Sequence, residues 1–183
     1  GDGDTLMRGL VVLLLLALPA CGWHAGLAAP EGAGSVGVEA VRRAATVLER
    51  GLEPRFTDAL SGALVDWVDL TLADPAQADW VLRAEILEYR RRGGVRSQDN
   101  ELIETAVFVR ARAELVERRT GKKRGPVQAQ EWSGYALEDA DHELAASERA
   151  LRHVATSLIL DLFGGEGLAP THAAPASAPT TPQ

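Results

Sequence analysis

The chain has a single cysteine, Cys21, so no disulfide can form within it. It also lacks a long hydrophobic run. Leu10–Leu18 would extend only about 14 Å as a helix, where a membrane span needs roughly 20 apolar residues. Its four histidines, His24, His142, His153 and His172, share no ligand spacing and have no second cysteine to join them, which argues against a metal centre. No serine stands in a Gly-x-Ser-x-Gly elbow. Gly93-Gly94 suits a turn but precedes no helix that would hold a phosphate. Ser147, His153 and Asp161 are not brought together by helical periodicity, and Glu85 and Glu88 on a strand make no acid/base pair. The expectation is a protein that is not an enzyme and needs neither metal nor cofactor.

What the chain does have is concentrated near its start. Met7-Arg8, the short apolar run and Leu18-Pro19-Ala20-Cys21 together read as a lipoprotein signal peptide, with a small residue before the cysteine. Residues 1–20 are expected to be removed and Cys21 to be the lipidation site. Each buried lipid CH₂ contributes about 0.8 kcal/mol, so two or more acyl chains anchor a protein stably. Gly22 stands where Asp would favour inner-membrane retention, which points to the periplasmic side of the outer membrane. Residues 1–20 hold Arg8, Asp2 and Asp4, so the remainder keeps 18 basic and 24 acidic residues, a net charge near −6. An acidic body of this kind does not suit a general nucleic-acid binder.

Residues 21–34 read as a tether, 35–163 as one domain, and 164–183, rich in Pro, Ala, Thr and Gly, as a disordered tail. Within the domain, Ser35–Val41 alternates weakly and suggests a strand. Phe56, Leu60, Leu64 and Trp67 recur at helical spacing over Pro54–Trp67, and Val68–Leu72 suggests a short strand. Trp80–Glu88 alternates, with the even positions apolar through Ile86. Ile103, Thr105, Val107, Val109, Ala111, Ala113 and Leu115 share one face of a long strand. A last strand spans about Val127–Tyr135. Leu144, Leu151, Val154, Leu158, Leu162 and Phe163 form the stripe of a closing helix that Gly164 is placed to end. Two helix stripes and one sheet face must be buried together. The expected fold is therefore α+β, a two-layer sandwich with two helices on one face of a mostly antiparallel (mixed) sheet of four to five strands.

Two connections are unusually basic. Arg90, Arg91, Arg92 and Arg96 fall in a loop after the first long strand, and Arg118, Arg119, Lys122, Lys123 and Arg124 in a turn after the second. They hold nine of the 18 cations left after residues 1–20 and lie at opposite ends of the central strand. Such residues either solvate hairpin ends or form a phosphate-binding rim, since the guanidinium fork matches phosphate oxygens.

With these elements placed, the chain resembles the lipopolysaccharide-assembly lipoprotein family LptE. The resemblance rests on Cys21-Gly22-Trp23-His24, the Pro54–Trp67 helix, the Ala78-Asp79-Trp80-Val81-Leu82 opening, the long hairpin with Thr120-Gly121-Lys122 in its turn, and the closing helix. It implies a non-enzymatic outer-membrane lipoprotein that plugs an LptD-type β-barrel, helps it assemble, and binds lipopolysaccharide on its way to the cell surface. It also implies a basic lipopolysaccharide contact before the central strand, for which Arg96 is the best match, with Arg90, Arg91 and Arg92 beside it. A second basic position of the family falls near Gln130, which is uncharged; Lys122 and Lys123 stand as further candidates. Two other roles fit the same elements: an accessory lipoprotein of another envelope machine, similar to the TolB amino-terminal domain or secretion-associated, and a structural lipoprotein without a lipid ligand.

Overall fold

The longest alternating segment forms an inner strand of the sheet. In the computed structural model, which describes residues 27, 29–30, 32–93, 104–136 and 140–164, strand β5 spans Glu104–Glu117. Thr105, Val107, Val109, Ala111, Ala113 and Leu115 are all buried on one face, as period two requires. Its antiparallel neighbours are β4 (Trp80–Gly93) and β6 (Lys123–Ala136). Across from β5 on the far side of β4 lie the short strands β1 (Ser35–Val38) and β2 (Arg42–Arg43), both parallel to β4, and β3 (Thr71–Leu72), parallel to β1. The order is β3-β1-β4-β5-β6, with β2 beside β4, so the sheet is mixed and has six strands. Helices α1 (Leu52–Trp67) and α2 (Ala140–Phe163) cover the apolar face and pack on each other. This is the α+β sandwich expected from the sequence.

Several boundaries differ, each for a physical reason. Arg90–Gly93 belong to β4 and not to a loop: Arg90, Arg91 and Arg92 pair with Phe108, Val107 and Ala106. The first residues of β5 would otherwise leave backbone groups without a ladder partner. Lys123 and Arg124 likewise belong to β6, shortening the second turn to residues 118–122. The first strand ends at Val38: the Glu39 N–H still donates to the Leu82 carbonyl (3.0 Å), its carboxylate pairs with Arg83 (2.8 Å), and the chain regains β4 at Arg42. Only Thr71–Leu72 of the Val68–Leu72 segment is a strand; Val68 makes an isolated bridge with Leu27.

Helix α1 opens two residues ahead of Pro54, which still lies in the first turn, where a missing N–H is harmless. Phe56, Leu60 and Leu64 are buried, but Trp67 is 42% exposed. The helix stops there, and Val68, extended and 5% exposed, takes the core position. In α2, Leu151, Val154, Leu158, Leu162 and Phe163 are buried as expected, whereas Leu144 is 52% exposed. At that turn the inward direction belongs to Glu143, engaged by Arg91 and Tyr135, and to Ala146.

The sheet's other face is polar and laced by ion pairs: Arg83–Glu39, Arg112–Glu85 (2.6 Å), Arg110–Glu88 (3.0 Å) and Lys123–Glu114 (3.1 Å). β6 is the free edge, where Arg149 donates to the Gly134 carbonyl (3.0 Å). Gly37 permits a close approach at the opposite edge: a Cβ there would lie 2.5 Å from the Pro75 Cα. Cys21, the signal segment, most of the tether and the tail beyond Gly164 lie outside the described residues.

Candidate functional site

One irregularity decides where the first group of arginines points. Between Ile86 and Glu88 the β4–β5 register shifts, a bulge at Leu87 that inverts the facing of every later residue in β4. Before it, Trp80, Leu82, Ala84 and Ile86 face the helices; after it, Glu88 and Arg90 join the outer face and Tyr89 and Arg91 the inner one.

On the outer face, register aligns Arg90, Phe108 and Trp132 across three strands. The Arg90 guanidinium lies 4.7 Å from the Phe108 ring centre and 5.4 Å from that of Trp132, and the two rings are 4.5 Å apart at 41°. Phe108 is buried beneath, Trp132 is 37% exposed, and Glu88 holds the Arg90 Nε at 3.1 Å. This is a shelf with an apolar floor and a stacked cation, suited to a ligand that is part anion and part hydrocarbon.

Arg91, on the inner face, ties the sheet to α2. Its Nε donates to Glu143 at 2.5 Å and its Nη2 to Glu49 at 3.4 Å, while the Tyr135 hydroxyl donates to the other Glu143 oxygen at 3.1 Å. Burial pulls the guanidinium's pKa down, but the Glu143 bond and the two carboxylate charges outweigh it, so it stands above its ordinary value. Burial, then Glu143, pushes the Tyr135 phenol up. The structure thus separates Arg90 from Arg91. The Arg92 side chain and Arg96 lie outside the described residues.

The second basic group sits at the other end of β5, nine residues beyond Phe108, or about 30 Å at 3.3 Å per residue. Thr120 donates to Glu117 (2.5 Å), and the Gly121 N–H closes the turn on the Glu117 carbonyl (2.8 Å), with Gly121 at φ +72. Arg118 reaches the Ala76 carbonyl, and Lys123 pairs with Glu114. Among the described residues, the Lys122 and Arg124 side chains have no carboxylate partner. Pro30, Trp80, Glu117, Lys122, Lys123 and Arg124 line a cleft of about 420 Å³, and Gly32 lines the next one with Asp79, Arg118 and Arg119. Asp79 clasps the incoming chain there. Its carboxylate accepts from the Ser35 hydroxyl (2.9 Å) and from the Gly34 and Ser35 N–H groups (3.0 Å each). The Ser35 hydroxyl, then the Gly34 N–H, hold its pKa below the ordinary carboxylate value.

Sequence reasoning missed Phe108, Trp132, Glu143 and the Ser35–Asp79 clasp. A signal for the first two was present: Phe108 interrupts the wet face of an alternating strand, and the apolar phase of β4 passes from Ile86 to Leu87 and Tyr89. Of the groups considered for catalysis, Ser147 is buried with no partner for its hydroxyl among the described residues, whereas His153 is exposed 3.8 Å from Glu131. Among the described residues no group of three or more His, Cys, Asp or Glu could hold a metal ion.

No family model and no curated protein matches the chain. Solved structures do. Protein XCC0632 from Xanthomonas campestris is 15% identical, with a TM-score of 0.52 over 73% of this chain and 88% of that one. The two share a fold. Hypothetical protein CT253 from Chlamydia trachomatis (15% identical, 72% of this chain and 96% of that one, TM-score 0.48) also matches. So does a minor lipoprotein from Acinetobacter baumannii (18% identical, 74% and 94%, TM-score 0.44). At these scores the second and third likenesses carry no argument.

Proposed function

We propose that this chain is an outer-membrane lipoprotein, acylated at Cys21 and facing the periplasm, that acts as the plug and assembly factor of an LptD-type β-barrel and binds lipopolysaccharide. Its signal sequence supports the anchor, and the resemblance to the LptE family supports the partner. The observation that carries the lipid reading is the Arg90–Phe108–Trp132 shelf. Lipopolysaccharide presents phosphates beside acyl chains. A guanidinium stacked on two rings offers a charge-assisted donor next to an apolar surface, with the arginines of the β4–β5 connection close in sequence. The shelf lies at the end of β5 away from the incoming tether, where cargo arriving at an anchored protein meets the least obstruction.

Arg90→Asp and Arg96→Asp together are expected to weaken lipopolysaccharide binding at least tenfold, since well-formed charge-assisted bonds contribute about 1.5–3 kcal/mol each. The melting curve should stay nearly unchanged. Unaltered binding by surface-captured protein overturns the shelf as the site. Affinity purification from membranes is expected to bring down a β-barrel in one-to-one ratio. A different envelope partner, with no barrel, supports the accessory-lipoprotein reading instead.

A further inference from the structure

We infer that the β5–β6 turn is a seat on which the domain, before it docks in the barrel, rests against an anionic phospholipid surface beside its own anchor. This rests on the reading of Cys21 as the lipid attachment point.

Three observations converge on it. The first is reach. Leu27 is fixed to the domain by its bridge to Val68 and its N–H on the Trp67 carbonyl (2.7 Å). Five residues lie between it and Cys21, so the Leu27 Cα stands within about 21 Å of the Cys21 Cα at full extension. The second is location: Pro30 lines the same cleft as Lys122, Lys123 and Arg124, and Gly32 the same cleft as Arg118 and Arg119. The end of the sheet that the tether holds near the bilayer is therefore the basic end.

Charge is the third. From Cys21 onward the chain carries a net charge near −6, which an anionic surface repels. Among the described residues at this end, five cations, Arg118, Arg119, Lys122, Lys123 and Arg124, stand among Glu114, Glu117 and Asp79, with Asp74 turned back to the Ala76 N–H. Asp79 is committed to Ser35 and Gly34, and Arg119 is 86% exposed with only a 3.5 Å contact to Glu117. Among the described residues Lys122 and Arg124 have no carboxylate partner, so they meet phosphate without breaking a pair seen there. At the far end, Arg91 is already held by Glu143 and Glu49. Juxtamembrane cations each raise occupancy of an anionic surface by about fivefold, so the turn orients an acidic domain that would otherwise stand away from the membrane.

The chain supplies its own reporter, because Lys122 and Lys123 are its only lysines. The chain from Cys21 to Gln183 is coupled through its sole thiol to a maleimide lipid in vesicles, which fixes the anchor independently of cellular acylation. Side-chain acetylation by acetic anhydride is then followed by peptide mass spectrometry. On vesicles with 30% phosphatidylglycerol, Lys122 and Lys123 are expected to react at least threefold more slowly than on phosphatidylcholine alone. The protection should vanish in 0.5 M NaCl and fall by more than half in the double variant Arg119→Gln, Arg124→Gln. Equal rates on the two vesicle types, or protection that the double variant leaves intact, overturn the seat. Intact-mass measurement of protein made in cells tests Cys21 acylation by itself, and lipopolysaccharide binding by the double variant should match that of the unmodified chain. Failure of either reading is thereby distinguishable from failure of the seat.

Discussion

The two ends of β5 carry similar densities of arginine and lysine, and the fold uses them in opposite ways. At the β4–β5 end the two described side chains are engaged: Arg90 stacks on two rings and pairs with Glu88, and Arg91 joins the sheet to α2 through Glu143. At the β5–β6 end Lys122 and Arg124 have no carboxylate partner among the described residues, and Arg119 touches Glu117 only at 3.5 Å. The acidic partners of the first group come from β4 itself, from the segment before α1 and from α2, none adjacent in sequence to all of them. Counting charges along the chain cannot separate the two ends; register can, and it turns on a single bulge.

The largest effect that breaks the comparison removes the support of both ends. Leu158→Asp puts a carboxylate into a fully buried position of α2 and is expected to lose several kcal/mol, much of the stability of a small domain. Urea denaturation checks it; a loss under about 1 kcal/mol would mean that the α2 packing is wrong.

A smaller effect is expected from Gly37→Ala, which loads the tether end alone. The new methyl would meet the Pro75 Cα at 2.5 Å and the Pro75 N at 2.8 Å, so backbone must shift, at about 1–3 kcal/mol. Amide exchange should rise first in β1 and the 74–79 turn, while β4–β5 pairs near Arg90 keep their protection.

Next, Arg91→Ala and Arg90→Ala are expected to differ although they are sequence neighbours. Arg91 bridges two carboxylates and leaves Glu143 and Tyr135 to share a half-buried site; with its solvent exposure discounted, its loss costs about 1 kcal/mol. Arg90, on the outer face, should cost less than about 0.5 kcal/mol in stability but most of the lipopolysaccharide affinity. Equal melting shifts for the two variants would contradict the inversion at Leu87.

The smallest effect is a pH dependence with two signs. Asp79 is held below its unfolded pKa by Ser35 and Gly34, so its contribution is present above the unfolded carboxylate value and lost as pH falls through the folded one. Asp161, near the end of α2, is raised by burial, so its ionised form opposes folding at neutral pH and the penalty fades as pH falls through its folded value. Asp79→Asn should therefore destabilise at pH 7 and converge with the parent chain in acid. Asp161→Asn should stabilise at pH 7 and likewise converge. Melting curves across that range separate them.

Much of the fold was legible because burial on one face writes itself into alternation: β5, the first half of β4 and the stripe from Leu151 to Phe163 stand as the pattern indicates. What was not legible arises between segments. Trp67 and Leu144 fit their helical stripes yet are exposed, because Val68 and Glu143 compete for the inward direction at those turns, and that competition exists only once the chain is packed. The candidate site was legible in composition and not in geometry: charge density marked both ends, but the ring platform under Arg90 needs three strands in register.

The clasp at Asp79 has a mechanical consequence. Any tug on the amino-terminal tether enters the domain along the axis of β1, whose parallel neighbours β3 and β4 resist by sliding and not by peeling. The Leu27 bridge meets the load first, and the three donors gathered on one carboxylate meet it next, before a ladder bond of β1 is strained. Force on the tether thus spends itself on the Leu27 bridge and the Asp79 clasp before it reaches the short ladder of β1.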